Sequence, residues 1–247
     1  STEDSHGRNV AIGYSALILQ NAGADAYNVA IGYNAGQAVT TGVRNTIIGG
    51  LAGDALTTGV DNVALGYDAA SAITGSNNTC VGSGSGTGIV AGTDNTMIGK
   101  GTTLAANASN SIVIGSGAGS GSIGSNEIML GNSSISDFKC QVALTVLSDK
   151  RDKVNFETIP HGLDFVDKLK PTSYEFKKEA NRSSVEGNGY KRYGFVAQDI
   201  LELEGENPVI INDKDPEKLL YTEANLIPVL VKAVQELSAK VKELENK

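Results

Sequence analysis

The sequence is poor in the residue types that usually build a large globular core. The chain of 247 residues has no tryptophan, and aromatic residues make up 5% of it. Its five prolines all follow residue 147, and its two cysteines, Cys80 and Cys140, are far apart. Cys80 stands where neighbouring repeats carry Ala, Ile or Met, so we expect a small buried hydrophobic residue rather than a disulfide or a metal ligand.

Basic charge and long apolar runs are also scarce. The net charge is −8, with four Lys or Arg against nine Asp or Glu in residues 1–147 and 16 against 19 in the remainder. Proteins that bind nucleic acid through its phosphates need a basic face, so this charge argues against that class. Because the sequence has no apolar run of 18 residues, it predicts no transmembrane helix. We also predict no metal site and no cofactor.

Glycine is abundant instead, and 25 of the 30 glycines lie in residues 1–147. In this part a five-residue phrase occurs eight times: a polar residue, two small or apolar residues, a branched apolar residue and glycine. The closing glycines are 19, 17, 17, 16, 17, 16 and 16 residues apart. Such a steady period indicates stacked structural units. The eight copies are Asn9–Gly13, Asn28–Gly32, Asn45–Gly49, Asn62–Gly66, Asn78–Gly82, Asn95–Gly99, Ser111–Gly115 and Glu127–Gly131.

Each repeat combines a short β-branched stretch, a turn, a weaker apolar stretch such as residues 37–40, and another turn. Two short strands and two turns within about 17 residues predict one coil of a parallel β-solenoid, which we place at residues 1–131. Glycine supplies the positive-φ corners that β-branched residues avoid. The recurrent asparagine is expected to stack on itself, with its amide bonded to the next coil.

A slim coil of Ala, Val, Ile and Gly has little core of its own, because neighbouring units must cover its apolar side. We therefore expect a homotrimer with a three-fold axis along the shaft. Over residues 7–131 the repeats resemble the heads of trimeric autotransporter adhesins and the shafts of phage tail fibres. The resemblance implies a trimeric β-solenoid but leaves two roles open. The shaft is either an inert stalk or a surface that contacts a receptor or glycan of the host cell.

The repeat does not continue beyond residue 131, and the remainder of the chain has a different pattern. Residues 132–147 are predicted to be a linker that ends in a strand, because its last residues alternate in polarity. Residues 148–247 are predicted to form an α+β domain that includes a helix over 160–169. The expected apolar stripe of this helix comprises Leu163, Val166 and Leu169.

A long helix is predicted from Thr222 to the C-terminus, and Pro228 within it is expected to kink or restart it. Beyond the proline, apolar residues recur in steps of three and four, which is an a/d seam. The seam favours a three-stranded association, but a helix packed on its own domain would show a similar stripe. The residues of this helix seam are Ile227, Leu230, Val234, Leu237, Val241 and Leu244.

The predicted α+β domain, residues 148–247, begins with a recognisable pattern: Ser148, Asp149, then Arg151 and Lys153. This pattern resembles the start of the self-cleaving C-terminal chaperone domain of phage endosialidase tailspikes and tail fibres, which also occurs in myelin-regulatory-factor transcription factors. Three further motifs extend the resemblance across residues 148–247. They are Gly162–Pro171 followed by Tyr174–Phe176, then Tyr193–Asp199, and finally Leu220–Tyr221 before the long helix.

The chemistry implied by this resemblance is a single self-cleavage by a serine endopeptidase. A serine hydroxyl is a weak nucleophile unless a base takes its proton, and a lysine acts as that base only when its amine is neutral. If residues 151–153 are extended, Arg151 and Lys153 share one face. Arg151 would then help to keep Lys153 neutral or donate to the oxyanion. The favoured scissile bond is Leu147–Ser148, and Ser148–Asp149 is the alternative.

The two halves together predict the C-terminal part of a phage tail fibre or tailspike, located in the virion. Its last domain would drive trimerisation and folding of the shaft and would then be released in the host cytoplasm. The alternative is a trimeric surface adhesin that does not cut itself, but those proteins end in membrane strands, whereas residues 240–247 are a charged helix. A glycan-degrading spike needs paired carboxylates, and we expect none in this part of the chain.

Overall fold

The structure is a computed structural model that describes residues 7–119, 123–142, 146, 148–177, 185–187, 189–217 and 219–247. The chain divides into two compact units, Ser1–Cys140 and Gln141–Lys247. Across the described residues, no helix is both long enough and apolar enough to cross a membrane.

The first unit is a β-solenoid, as the repeats predict. Eight three-residue strands form one parallel sheet in which every strand pairs with the next strand along the chain. The register is constant, so that each pair joins equivalent positions of successive repeats, as in Ala30 opposite Ile47. The strands are β1 (Val10–Ile12), β2 (Val29–Ile31), β3 (Thr46–Ile48), β4 (Val63–Leu65), β5 (Thr79–Val81), β6 (Thr96–Ile98), β7 (Ile112–Ile114) and β8 (Ile128–Leu130).

The expectation of two strands per coil is wrong. In the described part of the solenoid each coil has one strand, and residues 33–38, which include half of the expected second strand, form continuous turns. Glycines and other residues with positive φ occur there, including Asn34 and Gly36 with φ of 55° and 58°. A backbone with such φ values bends too sharply to pair as a strand.

The solenoid interior is filled by the middle residue of each strand and by apolar residues of the turns. Ala30, Ile47, Ala64, Cys80 and Met97 are at most 1% exposed. Cys80 is therefore a buried hydrophobic residue, as expected. The third residue of each strand points the other way, because successive side chains of a strand alternate between its faces. This outward column comprises Ile12, Ile31, Ile48, Leu65, Val81, Ile98, Ile114 and Leu130.

The asparagine that begins six of the eight repeats forms the expected ladder. Asn62 donates its backbone N–H to Oδ1 of Asn45 at 2.9 Å and accepts the N–H of Asn78 at 2.9 Å. Its Nδ2 atom donates to the carbonyl oxygen of Gly75 at 3.0 Å. Asn62 is 2% exposed, so these bonds satisfy polar groups that would otherwise be buried without partners.

The ladder changes where the repeats end. Glu127 takes the place of asparagine in the last coil, and its Oε2 atom accepts the N–H of Gly124 at 3.0 Å within the same coil. A carboxylate has acceptors only and cannot donate to a further carbonyl oxygen as the asparagine amide does. The asparagines themselves end one coil earlier, at Ser111, whose hydroxyl donates to the carbonyl oxygen of Gly124 at 2.8 Å and accepts the N–H of Glu127 at 3.3 Å. Glu127 then ends the ladder where the repeat pattern stops.

The closing glycines stack directly on one another. Gly49 has φ of 140°, and a Cβ atom on it would clash with the carbonyl oxygen of Gly66 in the next coil. Both the backbone angle and the lack of space exclude a side chain here. The first six closing glycines meet the next closing glycine in this way, and all eight have a positive φ, which explains why glycine closes every repeat.

The second unit is a small α/β arrangement with a long final helix. Its strands form two antiparallel pairs, Thr172–Tyr174 with Arg192–Gly194 and Ile211–Asn212 with Leu220–Tyr221. The elements are the 3₁₀ turn Lys150–Asp152, α1 (Leu163–Val166), β9 (Thr172–Tyr174), β10 (Arg192–Gly194), α2 (Ala197–Glu204), β11 (Ile211–Asn212), β12 (Leu220–Tyr221) and α3 (Glu223–Glu245).

The helix expected over residues 160–169 is shorter than predicted, since α1 begins at Leu163 and ends at Val166. Its most buried side chain is Phe165, at 7% exposure, whereas the expected stripe of Leu163, Val166 and Leu169 is only half-buried. Val166 and Leu169 of the predicted stripe nevertheless pack against the core that contains Phe165. The core around Phe165 comprises Ile200, Ile210, Ile211, Leu226 and Val229.

Helix α3 begins after Thr222, as predicted, and continues through Pro228 to Glu245. One face packs on the second unit through Leu226, Val229 and Ala233, which are at most 5% exposed. The helix seam lies elsewhere on the helix, and its six residues are between 40% and 69% exposed in the single chain. The seam is therefore distinct from the face that packs on its own domain.

Candidate functional site

The residues from Ser148 to Lys153 form a tight turn rather than a strand. Asp149 caps the 3₁₀ turn, and its Oδ1 atom accepts the backbone N–H of Arg151 at 2.8 Å. The N–H of Lys153 donates to the carbonyl oxygen of Lys150 at 3.2 Å. A side-chain acceptor at the N-terminal cap is the usual way to begin such a turn.

The turn brings two of the three predicted catalytic side chains together. The Nζ atom of Lys153 donates a hydrogen bond to Oγ of Ser148, and the two atoms are 2.5 Å apart. A serine and a base within hydrogen-bonding distance are the minimum requirement for an activated nucleophile. In this geometry Lys153 is the donor, so it must lose a proton before it can act as a base.

Arg151 is placed differently from the expectation. Because residues 150–152 are a 3₁₀ turn, Arg151 does not share a strand face with Lys153, and its guanidinium pairs with Asp149 instead. Nη2 lies 2.6 Å from Oδ2 of Asp149, and Nε lies 3.1 Å from each carboxylate oxygen. The side-chain hydrogen bonds to Arg151 lower the pKa of the Asp149 carboxyl, and the same contact raises the pKa of Arg151.

The site is open in the single chain. Ser148 and Lys153 are both exposed, and the side chain of Arg151 is 88% exposed. A lysine serves as a general base where its surroundings exclude water. The turn therefore supplies the contact but not the dry surroundings that the reaction needs.

Two of the sequence expectations concern residues that are only partly described. Leu147, the residue before the favoured scissile bond, lies outside the described residues. The expected strand at the end of the linker falls partly on residues 143–145, which are also outside them. The described residues of that segment, 140–142 and 146, are not in a strand.

A contact of long sequence separation fastens helix α3 to the start of α1, and the sequence did not reveal it. The Oε2 atom of Glu236 accepts the N–H of Leu163 at 2.8 Å, and Lys232 donates to the carbonyl oxygen of Ile159 at 2.5 Å. Gly162 has no room for a Cβ atom beside the Glu236 carboxylate. The spacing of Lys232 and Glu236 by four residues on a helix predicts the ion pair between them, 3.6 Å apart, but not their contacts with Leu163 and Ile159.

Comparison with known proteins supports the resemblance of the second unit. Residues 148–207 match the model of a family that is named as a peptidase and described as chaperone of endosialidase. The match begins at Ser148, the residue predicted to be the nucleophile. It includes the Gly162–Pro171 and Tyr193–Asp199 motifs, so the resemblance derived from those motifs is confirmed.

Two curated relatives are the long tail fiber protein Gp37 of Enterobacteria phage K3 and that of Enterobacteria phage T2. Each is 35% identical to the chain over 103 residues, which is 41% of the chain. The alignments cover 8% and 7% of those proteins, so the chain spans less than a tenth of their length. No solved structure matches the chain.

Proposed function

We propose that this chain is the C-terminal part of a phage tail fibre or tailspike, made of a trimeric shaft and a chaperone domain that cuts itself off. In this proposal residues 1–131 are the shaft, residues 132–147 the linker, and residues 148–247 the chaperone. The mature shaft is part of a virion appendage, and the chaperone is released in the host cytoplasm. The observation that carries the proposal is the contact between Lys153 and Ser148 at the first residue of the family match.

The proposed reaction is one intramolecular acyl transfer followed by hydrolysis. The Oγ atom of Ser148 attacks the carbonyl carbon of Leu147 while Lys153 takes the hydroxyl proton. The tetrahedral intermediate collapses when the C–N bond breaks and the proton passes to the new amine of Ser148. This leaves an ester between the Leu147 acyl group and Oγ, which water hydrolyses to a free carboxylate and the hydroxyl.

The roles of the charged residues follow from the turn. Lys153 is proposed as the general base, and Arg151 as the residue that shapes the turn through Asp149. Arg151 also remains the proposed donor to the oxyanion, since its guanidinium carries additional N–H groups beyond those bonded to Asp149.

Assembly is the proposed trigger of the reaction. Burial of Lys153 by a second or third copy of the chain would favour its neutral form, because desolvation disfavours the charged one. Cleavage would then follow trimerisation rather than precede it.

The surface of the shaft supports its association with further copies. The outward column is branched and apolar in all eight strands, and Ile12, Leu65, Ile98, Ile114 and Leu130 are 40–58% exposed. An apolar row of this length on a slim solenoid favours burial against an identical row.

The helix seam supports association of the chaperone domains. Its residues are exposed in the single chain although their spacing is that of a coiled-coil core. Three joined domains would raise the effective concentration of the three shafts and align their registers. Cleavage afterwards disconnects the chaperone, and the shaft can no longer unfold by the reverse path, which makes it kinetically stable.

The proposal is tested by a denaturing gel of the purified chain beside its Ser148→Ala variant. Wild type should appear as fragments of 147 and 100 residues, the two parts of the 247-residue chain on either side of the Leu147–Ser148 bond. The variant should remain one intact chain of unchanged native mass. Intact wild-type chains after long incubation as a trimer would contradict self-cleavage and favour the adhesin that does not cut itself.

A further inference from the structure

Helix α3 holds a distant segment of the second unit through two matched contacts. Lys232 donates to the carbonyl oxygen of Ile159 at 2.5 Å, and Glu236 accepts the N–H of Leu163 at 2.8 Å. Each contact joins residues 73 positions apart. The spacing of four residues along α3 therefore matches the spacing along the segment that it holds. We call Lys232 and Glu236 the α3 clasp.

The α3 clasp lies close against the backbone that it holds. A Cβ atom on Gly162 would lie 2.5 Å from both carboxylate oxygens of Glu236, which is closer than a side chain can approach. The side chains of Lys232 and Glu236 are 27% and 40% exposed. Hydrogen bonds of charged groups are stronger than those between neutral groups, so we expect the clasp to hold residues 159–163 firmly.

The segment that the clasp holds leads directly to the candidate site. Residues 148–158 have exposed side chains, and Ile159 is the first that is partly buried and packs against the core of the second unit. Between the turn and Ile159, the ring of Phe156 lies near Lys150, 5.8 Å from its Nζ atom. Lys153 is six residues before Ile159, a reach of at most about 20 Å. The position of the turn thus depends on where Ile159 is fixed.

The α3 clasp and the helix seam lie on opposite sides of one continuous helix. Lys232 and Glu236 are each two residues from Val234 of the seam, which places them about 160° from it around a helix of 3.6 residues per turn. Val234 is 65% exposed. Helix α3 therefore connects the surface that is proposed to join three copies with the segment that carries the candidate site.

The proposed reaction needs the turn to keep a fixed position relative to α3. In that proposal a second or third copy covers Lys153 when the helix seams associate, and the cover reaches the site only if the turn is in the right place. The exposed side chains of residues 148–158 provide little packing to fix that place. The α3 clasp provides a fixed point close to the turn.

We infer that Lys232 and Glu236 are positioning residues for self-cleavage, which hold the Ser148–Lys153 turn where association of the helix seams covers it. The inference rests on the proposed function, in which assembly triggers the reaction. The two residues act through Ile159 and Leu163 rather than through the reacting atoms. A misplacement of about 1 Å can cost about a hundredfold in rate, so loss of the clasp should slow cleavage without preventing assembly.

The first experiment follows self-cleavage of the full chain on a denaturing gel. Lys232→Met removes the donor of the clasp, and Glu236→Met removes its acceptor, whereas Glu236→Gln keeps an acceptor oxygen. Lys240→Met makes the same change as Lys232→Met at an exposed position of the same helix. Val229→Ala, at a position that is 3% exposed, weakens the core and leaves the clasp residues in place. Light scattering and the unfolding midpoint are measured for each variant.

Lys232→Met and Glu236→Met should have the native mass of wild type but should cut themselves about tenfold or more slowly. Glu236→Gln should recover most of the wild-type rate, because its amide oxygen still accepts the N–H. Lys240→Met should cut like wild type. Val229→Ala should lower the unfolding midpoint and still cut near the wild-type rate.

Clasp variants that cut at the wild-type rate overturn the inference and leave the proposed reaction intact. A Val229→Ala chain that cuts as slowly as the clasp variants also overturns it, since cleavage would then follow stability alone. A loss of native mass in the clasp variants would show that the clasp serves assembly instead. Wild-type chains that stay intact as a trimer overturn the proposed reaction, and the inference with it.

A second experiment measures the position of the turn without any cleavage. In the assembled Ser148→Ala chain, amide hydrogen exchange over residues 149–158 should be slow, because neighbouring copies cover the turn. Adding Lys232→Met should increase exchange in this segment by about tenfold or more, whereas adding Lys240→Met should not. Equal exchange in the two double variants overturns the inference, even where wild type cuts itself.

Discussion

Lys153 contacts Ser148 across a turn that Asp149 closes, with 2.5 Å between Nζ and Oγ. If the lysine only donates this hydrogen bond, arginine should replace it; if it is the base, arginine should fail, since a guanidinium stays protonated. We expect Lys153→Arg to remain uncut while Lys150→Arg is cut like wild type. The measurement is the fraction of cut chain over time on a denaturing gel. Normal cleavage of Lys153→Arg would exclude Lys153 as the base.

The asparagine ladder predicts a stability cost for its interior members. Asn62→Ala removes the acceptor of the Asn78 N–H and leaves that buried group without a partner. We expect the free energy of unfolding to fall by about 1–3 kcal/mol per chain. Chemical denaturation of the full chain measures it, with the exposed Thr58→Ala as control. Equal midpoints for the two variants would show that the ladder does not stabilise the shaft.

The stacked glycines predict that alanine is tolerated at some glycines and not at others. Gly49→Ala combines a φ of 140° with a clash against the next coil, whereas Gly101→Ala has a φ of 62° and open space around it. The second variant should lose about 1–2 kcal/mol, the usual cost of a left-handed residue. The first should lose clearly more or fail to form a soluble shaft. Circular dichroism and the unfolding midpoint distinguish them, and equal losses would refute the stacking argument.

Burial raises the pKa of the Cys80 thiol to about 12. The unfolded chain loses this proton near pH 9.0, the ordinary value for the group, while the folded chain keeps it. The contribution of Cys80 to stability is therefore complete below pH 9 and falls by about 1 kcal/mol per pH unit above it. Cys80→Ala, the residue that other coils carry at this position, should remove that part of the slope. Unfolding midpoints at pH 8 and 10 measure it, and identical slopes would contradict the burial.

The exposed helix seam predicts that a charge within it prevents assembly without unfolding the domain. Leu237→Asp places a carboxylate at the proposed interface of three helices, where burial of a charge is costly. We expect the native mass to fall towards that of a single chain and self-cleavage to slow. Ser238→Asp adds the same charge one residue outside the seam and should do neither. Light scattering together with the gel assay measures both effects.

The repeat architecture could be read from the sequence to a large extent because it depends on local rules. The period of 16–17 residues fixed the eight strands, and the closing glycine and leading asparagine each have one favourable stacked arrangement. The second strand of each coil was predicted wrongly for a local reason. Residues 37–40 are apolar enough for a strand, but the preceding residues, including Asn34 and Gly36, have positive φ and form a continuous turn.

In the second unit the sequence determined which residues belong to the site, and the three-dimensional structure decided how they are arranged. The positions of Ser148 and Lys153 in the motif were sufficient to predict them as nucleophile and base, because the motif itself carries the family resemblance. The contact between Ser148 and Lys153 depends on a 3₁₀ turn that the six-residue pattern does not specify. The same turn pairs Arg151 with Asp149, so that Arg151 does not share a strand face with Lys153.

Likewise, the period of helix α3 was visible in the sequence, but which of its faces packs on the domain was not. Phe165 lies in one core cluster with Leu226 and Val229, and the Glu236 carboxylate accepts the N–H of Leu163. These contacts join segments separated by tens of residues, and they determine that the helix face with Leu226 and Val229 is buried. The helix seam is thereby left exposed. Hydrophobic periodicity determines on which faces of the helix the apolar side chains lie. Whether a face is buried depends on which distant segments pack against it, and only the folded chain determines this.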